Sequence, residues 1–325
     1  MTPDLRDELQ ASLGDEYTIC RELPRGGMSR VFAATEKALG RTVVIKVLSP
    51  ERAATLSAER FKREIRLAAH LQHPHIVPLL HAGQAAGSLY FTMPFVEGES
   101  LRERMSRERP MSIENVARIL EEVAGALEYA HGEGVVHRDI KPENVMFFHE
   151  QAVVLDFGIG KALSAATDES IRTSGARITQ SGMSLGTPFY VSPEQGAGDP
   201  DLDHRADIYS LGIVAYEMLT GHPPFSGRTP HAVFMAHAEQ IPDPIEKKRP
   251  DVPEPIARIV MKCLEKKPRD RPHSAGEIVA ALRGTPAAGL RVFAKPAPFS
   301  RIPIWVPWTI AAVSTATAIA MALFH

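Results

Sequence analysis

HRDIKPEN, residues His137 to Asn144, is followed by VMFFHEQAVVLDFG, which ends on Asp156, Phe157 and Gly158. Taken singly, Asp and Asn in such loop-like text are ordinary turn formers. Their joint spacing is not ordinary. Five fixed residues (His137, Arg138, Asp139, Lys141 and Asn144) at roughly one in twenty each arise by chance about once in 10⁶ to 10⁷ windows, so this stretch outweighs any lone glycine loop. Upstream of it, Ile113, Val116, Ala117, Leu120, Val123, Ala124 and Leu127 recur at helical spacing and predict a long amphipathic helix opening near Ser112. Downstream, ADIYSLGIVAYEMLTG, PEPIARIVMKCLEK and SAGEIVAALR also read as helices, the last with a capping box between Ser274 and Glu277.

The text before about Met93 has a different grain. YTICREL, RVFAAT, RTVVIKVL, HIVPLLHA and LYFTMPF are rich in β-branched and apolar residues and predict a mostly antiparallel sheet. One helical segment, AERFKREIRLAAHL, interrupts them. A small β-rich unit therefore precedes a larger helical one, which is an α+β organisation.

Composition narrows the function classes. The 325 residues carry 37 Lys plus Arg against 39 Asp plus Glu, a net charge of −2, so no basic field points to nucleic acid. Cys20 and Cys263 lie far apart without metal-ligand spacing and read as packing thiols in a reducing compartment. MTPDLRDELQ is charged and has no apolar core of a secretory signal, while Leu5, Leu9 and Leu13 predict a short amphipathic helix. At the other end, IPIWVPWTIAAVSTATAIAMALFH holds no charged side chain after Arg301. About 20 apolar residues at 1.5 Å each match a bilayer core of roughly 30 Å, so this stretch predicts a membrane-spanning helix. Trp305 and Trp308 mark one interface, and Arg283, Arg291, Lys295 and Arg301 place everything before the span on the cytoplasmic side. With His325 directly after the span, no external sensor domain is expected.

HRDIKPEN with the DFG that follows resembles the eukaryotic-like (Hanks-type) protein kinases, over about Tyr17 to Arg283. The resemblance implies a bilobal fold: a lead-in over 1–16, a small lobe over 17–93, a large lobe over 97–283, a linker over 284–301 and the span over 302–324. Asp139 would receive the hydroxyl proton of an acceptor, and Lys141 would set an ammonium beside the transferring phosphoryl group. Asn144 and Asp156 offer hard oxygen ligands for Mg²⁺, with Mn²⁺ as an alternative, in company with ATP. Strand alternation puts Val44 and Lys46 on one face of RTVVIKVL, and the family pattern pairs Lys46 with Glu64. Leu23, Val31, Val44 and Met146 would sandwich the purine, Met93 would be the gatekeeper, and Val96 would offer its backbone N–H to adenine.

In the family pattern, Asp156 to Glu194 forms the activation segment. Thr179 and Ser181 are its expected phosphorylation sites, with Arg138 and Lys161 as cations that would receive the phosphate. Glu194 and Arg271 resemble the pair that pins this segment, and Asp207 the residue that orients the loop containing Asp139. Thr187, and Lys141 in D-x-K-x-x-N, resemble Ser/Thr rather than Tyr kinases. In RELPRGGMSRVF, PRGGMS aligns with G-x-G-x-x-G: Gly26 keeps the central glycine, Pro24 and Ser29 replace the outer two, and Gly27, Met28 and Ser29 carry amides that can reach phosphate. The implied partners are protein substrates and the membrane. Whether the span only anchors, or also brings two copies together for phosphorylation in trans, stays open, as does a catalytically silent scaffold in place of an active enzyme.

Overall fold

In the computed structural model the chain divides into two units, Met1–Pro286 and Ala287–His325. The structure describes residues 4–24, 29–48, 65–157, 189–227 and 229–284, all of them in the first unit. A five-stranded antiparallel sheet forms the small lobe from β1 (Tyr17–Glu22), β2 (Ser29–Glu36), β3 (Arg41–Leu48), β4 (His81–Ala85) and β5 (Ser88–Pro94), in the order β1-β2-β3-β5-β4. Central β3 pairs Lys46 with Val31 on one side and with Phe91 on the other.

Alternation along β3 feeds two apolar layers. Val44 joins Val31, Leu89, Phe91 and Met93 on the face toward the rest of the protein, whereas Val43, Ile45 and Val47 join Phe32, Ile19 and Tyr90 on the opposite face. That second face would meet water if the sheet stood alone. Helix α1 (Leu5–Leu13), started by Asp4, covers it with Leu9 and Leu13. Burying one leucine in full stabilises by roughly 1.5–3 kcal/mol, so the leucine repeat is what docks the helix. The same helix also serves the open edge of β1, which would otherwise present unpaired backbone groups. Gln10 accepts from the Ile19 amide (2.8 Å) and donates to the Tyr17 carbonyl (3.2 Å).

The expected strand over HIVPLLHA begins later than its composition suggests. Only from His81 does regular pairing start, while Val77 donates instead to the Val154 carbonyl of the large lobe at 3.0 Å. Tertiary pairing has overridden β propensity there. Of the expected helix over AERFKREIRLAAHL, the described part is helical over 65–69.

The large lobe holds α2 (Leu101–Arg107), α3 (Ile113–Gly132), β6 (Val145–Phe148), β7 (Gln151–Val154), α4 (Pro193–Ala197), α5 (Arg205–Thr220), α6 (Pro230–Glu239), α7 (Ile245–Lys248), α8 (Glu254–Cys263) and α9 (Ala275–Arg283). Ser112 caps α3 by accepting from the Asn115 amide, and the apolar stripe from Val116 to Leu127 is buried. Helix α5 is buried from Ala206 to Leu219 on every side, as a helix enclosed by its neighbours must be. Gly212 lets α8 approach: a Cβ there would lie 2.7 Å from that of Cys263. Cys263 is the packing thiol the sequence suggests, its pKa pushed up to about 12 by burial, but Cys20 is exposed on edge strand β1. The capping box expected at α9 is displaced by one residue. Ser274 accepts from Gly276, and Glu277 accepts from the amide of His273 rather than that of Ser274.

Candidate active site

The loop between α3 and β6 is held from below by one carboxylate. Asp207, in the first turn of α5 and 1% exposed, accepts from the amides of His137 (2.8 Å) and Arg138 (2.7 Å) and from His131 Nε2 (2.9 Å). Burial pushes this carboxyl up, but the hydrogen bond and charge of His131 and the loop amide of Arg138 outweigh it and hold it below the usual range. His137 is fully buried, and its Nε2 lies 2.7 Å from the Leu155 carbonyl. A carbonyl can only accept, so Nε2 carries the proton and Nδ1 is left as an acceptor. The Asp139 amide donates to it at 3.1 Å.

Above this base the polar side chains converge. Lys141 Nζ lies 2.9 and 2.7 Å from the two Asp139 carboxylate oxygens. Asn144 Nδ2 donates to the Asp139 carbonyl (2.8 Å) and carboxylate (2.9 Å). The Asn144 carbonyl accepts from Leu155 (2.9 Å), which brings Asp156 to the same place. Lys46, reaching from β3, sets its Nζ 2.6 Å from Asp156 Oδ2, and both side chains are largely shielded. Arg138 and Asp156 adopt φ of 66° and 65°. Non-glycine residues hold such a left-handed backbone only where the surroundings fix it.

Beside these charges lies an apolar layer. Val31, Val44 and Met93 are buried in one cluster, and Leu23, Val96 and Met146 pack against it from strand ends and from the segment joining the lobes. That segment turns at Gly98, where a Cβ would stand 2.0 Å from the Phe147 carbonyl. Only a residue without one lets the connection lie against β6.

The stretch around α4 is tied into the large lobe. Glu194 and Arg271 form a buried two-pronged pair at 2.6 and 2.8 Å. Sequence reading missed three other groups here: Gln195, whose Nε2 donates to the Arg138 carbonyl (2.7 Å), Arg102, and Tyr190. Arg102 bonds Glu143 and Glu217 at 2.8 Å each, and also Tyr190, which in turn donates to Glu217. Tyr190 and Gln195 lie within GTPFYVSPEQ, the end of the activation segment, but nothing in that stretch or around Arg102 says which groups they meet, so only the fold could bring them together. Burial, then the Glu217 charge, pushes the Tyr190 hydroxyl above its ordinary range.

Gly26, Gly27, Met28, Glu64, Lys161, Thr179, Ser181, Thr187 and the span over 302–324 lie outside the described residues. No helix among the described residues is long and apolar enough to cross a membrane.

A two-lobed α+β fold that sets a lysine from its sheet against an aspartate after β7, beside an Asp-Lys-Asn loop, defines a phosphotransferase of the kinase type. The family model for the protein kinase domain matches residues 17–281, so the chain belongs to the protein kinases. It is 38% identical over 294 residues to the serine/threonine-protein kinase pkn3 of Myxococcus xanthus, covering 87% of this chain and 52% of that protein. It is also 39% identical over 276 residues to PknB of Mycobacterium tuberculosis (strain ATCC 25618 / H37Rv), covering 83% and 43%. The chain thus spans about half the length of the curated relatives it matches, both of them bacterial proteins described as serine/threonine-protein kinases.

Proposed function

We propose that the chain is an ATP-dependent Ser/Thr protein kinase, held at the cytoplasmic face of a membrane by residues 302–324 and activated by phosphorylation at Thr179 and Ser181. The observation that carries this reading is the convergence of the Lys46–Asp156 pair and the Asp139–Lys141–Asn144 group beside one apolar layer. In the reaction, the acceptor hydroxyl oxygen bonds to the γ-phosphorus of ATP, the bond from that phosphorus to ADP breaks, and Asp139 receives the hydroxyl proton. Lys141 holds the Asp139 carboxylate and faces the developing charge. Lys46 balances Asp156, and the layer of Leu23, Val31, Val44, Met93, Val96 and Met146 takes the purine.

Asn144 and Asp156 fit Mg²⁺, or Mn²⁺ in its place. Both donor hydrogens of the Asn144 amide point to Asp139, which leaves its oxygen as the ligand, and Asp156 adds a carboxylate. Among the described residues no three His, Cys, Asp or Glu side chains form a metal cluster, as suits an ion that completes its shell with phosphate and water. When bound, the ion neutralises phosphate oxygens. A silent scaffold is disfavoured because Lys46, Asp139, Asn144 and Asp156 are all present. Incubating the protein with ATP and mapping phosphosites tests the reading, and no transfer at all would defeat it.

Leu23 makes the last β1–β2 bond before the glycine loop, donating to Val31 at 2.7 Å. Pro24 follows without an N–H of its own, so it stiffens the loop entrance rather than touching phosphate. We expect Pro24→Gly to shift KM for ATP more than kcat in initial-rate assays, and a large gain in kcat would assign it another role.

Removing the residues after Arg283 should move the protein from the membrane to the soluble fraction on centrifugation. If the span also pairs two copies, the truncated protein should phosphorylate itself at a rate that rises with its concentration, well below the membrane-bound rate. Equal rates would leave the span as an anchor alone.

A further inference from the structure

The peptide unit joining Arg138 to Asp139 is gripped at both ends by side chains. Its N–H donates to His137 Nδ1 at 3.1 Å, and its carbonyl accepts from Gln195 Nε2 at 2.7 Å. The two amides before it are already held by Asp207. The unit therefore has little freedom to turn, although the φ of 66° at Arg138 is one that a residue with a Cβ adopts at a cost.

Gln195 is itself fixed before it reaches across. Ser192 Oγ accepts from the Gln195 amide (3.3 Å), and Gln195 Oε1 accepts from the Ser192 amide (3.2 Å). Together the two bonds close a reciprocal box at the start of α4. With its oxygen committed to the cap, the side chain has its Nε2 directed at the Arg138 carbonyl. Glu would serve the cap equally well, since only the oxygen is used there. Only Gln also donates.

We propose that Gln195 is a positioning residue for Asp139: through the Arg138 carbonyl it fixes the peptide plane from which the carboxylate projects, and so joins the chain around Glu194 to the loop that performs the chemistry. This inference rests on reading Asp139 as the proton acceptor in phosphoryl transfer.

The substitution Gln195→Glu isolates the contact. It keeps the oxygen that closes the cap but sets a carboxylate against the Arg138 carbonyl, two acceptors with no hydrogen between them. Ser192→Ala does the reverse, removing the cap hydroxyl while leaving the Gln195 donor and the Ser192 amide in place. The test uses the full chain and follows ADP release with a degenerate serine/threonine peptide pool as acceptor. Asp139→Asn is the control, and thermal midpoints are recorded for every variant. We expect Gln195→Glu to lower kcat by about 10- to 100-fold, the range a misplaced reacting group produces, with KM for ATP and the midpoint unchanged. We expect Ser192→Ala to lower the midpoint and keep kcat. A Gln195→Glu enzyme as fast as wild type would overturn the proposal, as would a fall in kcat matched by a rise in KM and a lost midpoint. A wild type that releases no more ADP than Asp139→Asn would instead sink the kinase reading itself.

Discussion

Replacing Asp139 with asparagine should lower the rate of phosphate transfer by about 10² to 10⁴-fold, the usual worth of a positioned general base. The substitution preserves shape and removes the group that accepts the proton. It also disturbs its surroundings, because Asn144 donates to a carboxylate oxygen at 2.9 Å and Lys141 spans both oxygens. An amide can keep one of these partners as an acceptor but turns a donor toward the other. The purine layer lies on different elements and does not depend on the carboxylate, so nucleotide affinity should stay within about threefold. Fluorescent ATP titration and single-turnover transfer measure the two separately. A variant within about tenfold of the wild-type rate would show that Asp139 does not carry the proton, and a collapse of both quantities would show that the substitution had disturbed the site as a whole.

The parts of this site that sequence reveals are those whose chemistry demands fixed spacing along the chain. Asp139, Lys141 and Asn144 fall within one loop, and four contacts among them follow from that closeness. Lys46 and Asp156 are 110 positions apart, yet strand alternation alone put Lys46 on the cleft-facing side of β3. Composition could not say that β3 is buried on both faces, because the second layer depends on α1 folding back over it. It likewise could not locate Gln195, whose value lies in a carbonyl 57 positions away, or the network of Arg102, Tyr190 and Glu217, which joins three elements. Such groups are ordinary polar residues in the text, and only tertiary contact makes them specific. The displaced cap at α9 has a related cause. Both Ser274 and Glu277 find amides to serve, but the fold offers each a neighbour one residue from the pattern.

Arg271→Met should destabilise the protein by about 3–5 kcal/mol, the cost of leaving one member of a buried pair without its partner. The guanidinium is completely enclosed, and its five N–H groups are all used: Nε donates to the Glu265 carbonyl, Nη1 to Glu194 and the Arg205 carbonyl, and Nη2 to Glu194 and the Lys266 carbonyl. The cation also lies 4.7 Å from the centre of the Tyr209 ring. Methionine fills much of the volume but leaves the Glu194 carboxylate, 7% exposed, and three carbonyls without those donors. At about 2–4 °C per kcal/mol for a domain of this size, the thermal midpoint should fall by roughly 6–20 °C. Arg271→Lys tests the geometry rather than the charge, since an ammonium has three donors and no planar fork, and it should recover only part of the loss. Adding Glu194→Leu to Arg271→Met should restore stability relative to Arg271→Met alone, because the doubly substituted site buries no charge. A midpoint lower still in the double variant would mean that the carboxylate keeps other partners, and that the two side chains do not act as a pair.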